Sequence, residues 1–182
     1  MSEPEKTVTA FADFRQLASG GRDAVAKEVR LAVAAVPTVR ILVLDDQTGA
    51  AVDLDLRAKA SAAAPPDSPE SAARKAGRPR LGVASREVTL LPRHWEWLAA
   101  QPGGASVTLR RLVESSRRDP EQIRRAARDA AYRAMSALAG DLAGFEEASR
   151  ALFADDRTAL MGHVSDWPRD IVDYLSSLLD RT

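Results

Sequence analysis

The chain has 182 residues, is 45% hydrophobic and 29% charged, and balances 26 Lys+Arg against 26 Asp+Glu, which suits one or two globular domains. It contains no cysteine, which excludes disulfides, thiol catalysis and cysteine-based zinc sites. The uncharged stretch 97–109 is broken at Gln101, Pro102, Gly103 and Gly104, short of the roughly 18 apolar residues of a membrane span, and the opening MSEPEKTVTA has no apolar signal core, so a cytoplasmic protein with no membrane partner is expected.

In chain order, residues 5–57 have the texture of a small α+β unit. Val8, Ala10, Phe11, Phe14 and Leu17 fit one or two short strands. Gly20 and Gly21 follow, and residues 22–36 repeat Val25, Val29, Ala32, Val33 and Val36 near helical spacing, with Asp23 favourable for the helix dipole and Pro37 as the stop. Residues 40–44 read as an apolar strand and 45–49 as a turn. Residues 50–56 alternate Val52, Leu54 and Leu56 with Ala51, Asp53 and Asp55, which predicts a hairpin with one wet face.

Residues 58–80 hold no Val, Ile, Leu, Phe, Met, Trp or Tyr. Such a segment cannot offset its ordering entropy by apolar burial, so 58–76 is predicted to be a flexible Ala/Pro/Ser-rich linker and 77–182 the second part. That part opens with a strand at 86–91, a helix beginning at Pro92 and stopped by Pro102-Gly103-Gly104, and a helix over 106–118 with Leu109, Leu112 and Val113 on one face. The rest is helical: Ile123, Ala127, Ala130, Ala134, Met135 and Leu138, then Phe145, Ala148, Leu152 and Phe153, then Ile171, Tyr174, Leu175 and Leu178 form apolar stripes. Gly140, Gly144, Gly162 and Asp166-Trp167-Pro168 divide them into three or four helices. The predicted class is α+β, a small N-terminal α/β unit followed by a mainly helical C-terminal unit.

The balanced charge conceals an asymmetry. Residues 74–133 carry 14 Lys+Arg against 6 Asp+Glu, whereas 1–73 carry 8 against 11 and 134–182 carry 4 against 9. A basic middle of this kind attracts nucleic acid, or neutralises the acidic flanks by folding against them. Within it, residues 87–118 resemble the ribbon-helix-helix DNA-binding fold: Pro92 matches the strand-to-helix turn, and Thr108, Leu109, Leu112 and Val113 match the core spacing of the second helix. The resemblance implies a homodimer in which two copies pair strands and place the ribbon in the major groove. The strand departs from the pattern. With Pro92 setting register, Arg86, Val88 and Leu90 face the groove, and aliphatic side chains cannot read base-edge hydrogen bonds; the opposite face carries Glu87, Thr89 and Leu91. Gly77-Arg78-Pro79-Arg80 resembles the core of an AT-hook, with Ala76 where the hook usually has arginine.

The candidate nucleic-acid contacts are therefore Arg78, Arg80, Arg86 and Arg93, with Arg110, Arg111, Arg117 and Arg118 as further basic surface. Trp95 and Trp97 lie about 200° apart round a helix axis, so one is expected to pack inward and the other to meet a partner; with Leu109 and Val113 they are the candidate interface residues. Asp45, Asp46, Asp53 and Asp55 cluster at the hairpin without a calcium-loop pattern, and turn formation and edge protection account for them. His94 and His163 have no ligand spacing, and no nucleophile elbow or phosphate-binding glycine motif is present. No catalytic residue, metal, cofactor or small-molecule ligand is expected. The leading role is DNA binding or regulation. A protein-protein interaction or structural module is the alternative, and an enzyme resting on the hairpin aspartates comes third.

As a whole, ILVLDDQTGAAVDLDLR, GRPRLGVASREVTLLPRHWEWLAAQPGGASVTLRRLV and FEEASRALF resemble an uncharacterised bacterial domain-of-unknown-function family, number 2239. The resemblance implies a soluble bacterial protein and no particular activity.

Overall fold

A computed structural model describes residues 6–54, 56 and 86–181. The architecture is α+β, and three strands and seven helices occur among the described residues: β1 (Thr7–Ala12), β2 (Arg15–Gly21), α1 (Arg22–Ala35), β3 (Ile41–Asp45), α2 (Pro92–Ala99), α3 (Gly104–Arg117), α4 (Pro120–Ala139), α5 (Phe145–Phe153), α6 (Arg157–His163) and α7 (Arg169–Leu179). The strands form one antiparallel sheet in the order β2-β1-β3. Residues 1–60 and 117–182 make one compact unit, and 61–116 make a second.

In the first unit the sheet is covered on both faces. The central strand β1 has the sequence TVTAFA, and alternation sends Val8 and Ala10 one way and Thr9 and Phe11 the other. All four are buried, as expected for a strand with neighbours and helices on every side. Val8 and Ala10 join Val43 of β3 and Val25 and Val29 of α1 in one cluster. Phe11 and Leu44 point into a larger cluster with Met135, Leu138, Ile171, Leu175 and Leu178 of the C-terminal helices. Burial of each such large side chain contributes about 1.5–3 kcal/mol, so the helical core is the principal source of stability.

The helix boundaries follow local chemistry. Asp119 caps α4 by accepting from Glu121 N at 3.0 Å, with Pro120 in the first turn where its missing N–H costs nothing. In α7, Ile171, Tyr174, Leu175 and Leu178 occupy i, i+3, i+4 and i+7 and are all buried. α4 packs on α7 and α5 on α6. Gly140 and Gly144 stand at the break between α4 and α5 and Pro168 at the one before α7, whereas α5 and α6 part at 154–156, where the sequence offered no stop, and Gly162 falls inside α6.

The turn at 45–49 forms as the sequence indicates. Asp45 accepts from Gln47 N at 3.0 Å and from Thr48 N at 2.9 Å. Gly49 takes φ +66°, and a Cβ there would stand 1.9 Å from the Ala130 carbonyl oxygen, so only glycine lets the turn lie on α4. The second hairpin strand does not form. After the turn there is one bridge, Leu44 to Ala51, and a bond from Val52 N to Val43 O at 2.8 Å. Leu54 and Leu56 instead pack against the cluster below α1, which takes up their apolar surface without a ladder.

In the second unit α2 begins at Pro92, as predicted, and α3 starts at Gly104, two residues before the predicted boundary. The strand predicted at 86–91 is absent from the single chain. A strand needs a partner for its N–H and C=O groups, and no ladder partner occurs among the described residues; Val88 and Leu91 stand exposed. Leu98 and Thr108 are buried. The linker predicted at 58–76 lies outside the described residues.

Candidate functional site

The residues proposed from sequence to meet nucleic acid lie mostly on exposed surface. Arg86 and Arg93 are exposed, as are Arg110, Arg111, Arg117 and Arg118. Arg110 turns its Nε back to the Ser106 carbonyl at 3.1 Å, which lays its guanidinium along α3. Arg78 and Arg80 lie outside the described residues.

The candidate interface residues lie on the two helices of the second unit, Trp95 and Trp97 on α2 and Leu109 and Val113 on α3. Trp95 is 41% exposed and Trp97 52% exposed, so neither indole packs inward as the sequence suggested. The reason is local: α2 is only two turns long, and Leu98 takes its one buried position. Leu109 is half-buried, whereas Leu112 and Val113 on the same stripe of α3 are exposed, Val113 at 55%. An amphipathic helix ordinarily turns its apolar stripe onto a core, and among the described residues this one does so only in part. Seven of the twelve large apolar side chains exposed among the described residues fall between Val88 and Val113. Scattered exposed apolar residues are ordinary, and what sets these apart is their concentration in one stretch of the chain.

The hairpin aspartates divide. Asp45 is used by its turn and Asp53 is exposed, while Asp55 is outside the described residues. Asp46 is 3% exposed and sits at the junction of sheet and helices, a burial that the sequence did not announce. Its Oδ1 accepts from Thr9 Oγ1 at 2.7 Å and from the Tyr174 hydroxyl at 3.1 Å. The Thr9 hydroxyl is also hydrogen-bonded to that of Ser19 at 3.0 Å, and Arg181 donates to the Asp46 carbonyl. Tyr174 meets Phe11 edge to face, with centroids 5.2 Å apart. Burial raises the Tyr174 phenol well above its usual range, and the neighbouring Asp46 carboxylate raises it further by its charge and by accepting the hydroxyl hydrogen.

Chemically this cluster is a clamp. A phenol held protonated is a donor and no base, and Asp46 holds β1, the turn after β3 and α7 together through one carboxylate oxygen. The signals available in the sequence were the alternation that sets Thr9 opposite Val8 and the α7 stripe that directs Tyr174 inward. Neither indicates which carboxylate they meet. No group of three or more His, Asp or Glu that could hold a metal occurs among the described residues. No described helix is long and apolar enough to cross a membrane.

Nothing among curated proteins and nothing among solved structures matches this chain. A protein-family profile described as "uncharacterized protein conserved in bacteria (DUF2239)" matches residues 7–179, spanning the clamp, the exposed helix pair and all of the C-terminal helices. On that match over nearly its full length, the chain belongs to this family of uncharacterised bacterial proteins.

Proposed function

We propose that the protein is a DNA-binding or regulatory protein that works as a homodimer through the element at 86–118. The observation that carries the reading is the exposed apolar stripe of α2 and α3 beside a segment with no strand partner. Half of a ribbon-helix-helix dimer would present this surface, because that fold completes its ribbon and its core only with a second copy. Exposed arginines on the same helices, Arg93 on α2 and Arg110 and Arg111 on α3, suit a phosphate backbone. With Val88 and Leu90 at the groove-facing positions, affinity rests on phosphate contacts and on the arm at Arg78 and Arg80, so sequence preference is weak.

Fluorescence anisotropy with a labelled duplex tests this. Binding is expected at low salt and falls steeply as salt rises, since each phosphate contact releases counterions. Arg110→Ala with Arg111→Ala should lower both the affinity and the salt slope. Failure of the wild-type dimer to bind duplex DNA at low salt leaves the second reading, a protein-protein interaction module. The exposed Trp95 and Trp97 favour that reading, since indoles commonly anchor protein interfaces.

A further inference from the structure

The C-terminal helices hold a cavity of about 220 Å³, walled by α4, the end of α5, α6 and the end of α7. Its floor is apolar, with Leu152 and Leu160, and its rim is charged. Two of the rim carboxylates are already committed: Asp180 pairs with Arg157 at 2.7 Å, and Asp156 caps α6 by accepting from Ala159 N at 2.9 Å. Arg124 and Arg128 of α4 remain, against the single carboxylate of Asp155.

Arg128 is the informative group. Its guanidinium carbon lies 5.9 Å from the centroid of the Phe153 ring, and that ring is held by Tyr132 at 5.2 Å, so the charged head is positioned before any ligand arrives. Its Nε is nevertheless buried without a hydrogen-bond partner. Buried donors nearly always have an acceptor, and a guanidinium offers a planar fork suited to two anionic oxygens. Asp155 adds a second feature: it ends α5 in the left-handed region at φ +58°, where glycine is unstrained, and so sets a carboxylate on the rim at a backbone cost. A hydroxyl or amino group on a ligand would find its acceptor there.

We propose that this cavity binds a small organic anion, whose carboxylate or phosphate group meets Arg128 and Arg124 and whose short apolar body lies over Leu152 and Leu160. The site is independent of the DNA-binding reading and stands or falls without it.

Isothermal titration calorimetry of the full chain at constant ionic strength, with inorganic phosphate and separately with butyrate, tests the proposal. At least one probe should give a saturable site with one equivalent per chain, and which one does identifies the anionic group. Arg128→Lys, which keeps the charge and removes the Nε donor, should weaken binding about tenfold. Arg124→Gln, at an exposed position that folding tolerates, should also weaken it. In the wild type, the Arg128 side-chain Nε–H resonance should shift on titration with the probe that binds. No saturable heat with either probe, an affinity unchanged in both variants, or an unmoved Arg128 resonance overturns the site.

Discussion

Asp46 joins segments that are far apart in sequence through two hydroxyl donors, and the balance of that clamp is measurable. Tyr174→Phe removes one donor to a buried carboxylate, and such bonds are worth about 1.5–3 kcal/mol, so denaturant unfolding should show a loss of that size. The same substitution changes the response to alkali. The folded-state phenol titrates above its unfolded value, so its contribution is fully present below about pH 10 and is lost as pH rises further, when the unfolded chain releases the proton and the folded chain retains it. Stability of the wild type should therefore fall more steeply above about pH 10 than that of Tyr174→Phe. Equal slopes would show that Tyr174 is not held protonated by the fold. Gly49→Ala is the steric counterpart: a methyl group 1.9 Å from the Ala130 oxygen, at φ +66°, has no place without moving the turn off α4. A loss of more than about 2 kcal/mol is expected in the same unfolding measurement, and a change within error would mean the turn is not seated on the helix.

At the scale of elements, the sequence disclosed most of what local rules govern. Val25 and Val29 at helical spacing, Pro92 at the first turn of α2, Pro37 and Pro168 as stops, and the α7 stripe all act within a few residues of themselves, and α1, α2 and α7 lie where those signals put them. What escaped is what depends on distant partners. Val52, Leu54 and Leu56 alternate as a strand does, yet alternation records only that one side is apolar, and here α1 and the sheet supply the cover without a ladder. Asp46 has the sequence context of any turn aspartate, and its burial is fixed by Thr9, 37 positions before it, and Tyr174, 128 positions after it. The surface of α2 and α3 is a third case. Leu112 and Val113 have core spacing, and the spacing is silent about whether the cover comes from the same chain or from another.

At the scale of the whole molecule, the sheet and the C-terminal helices of the first unit share a core, and α2 and α3 of the second carry exposed apolar side chains, so core stability and surface contacts can be tested separately. Val113 is exposed in the single chain, and a charge placed there costs little if the chain works alone. Within a dimer core, the same charge is buried without a partner and is strongly destabilising to the assembly. Light scattering of the wild type and of Val113→Asp, at concentrations on the order of tens of micromolar, separates the two cases most directly. The dimer account requires a wild-type mass near twice 19.6 kDa and a folded variant near 19.6 kDa. A wild-type mass near 19.6 kDa would contradict it, and with it the paired ribbon on which the proposed DNA contact rests.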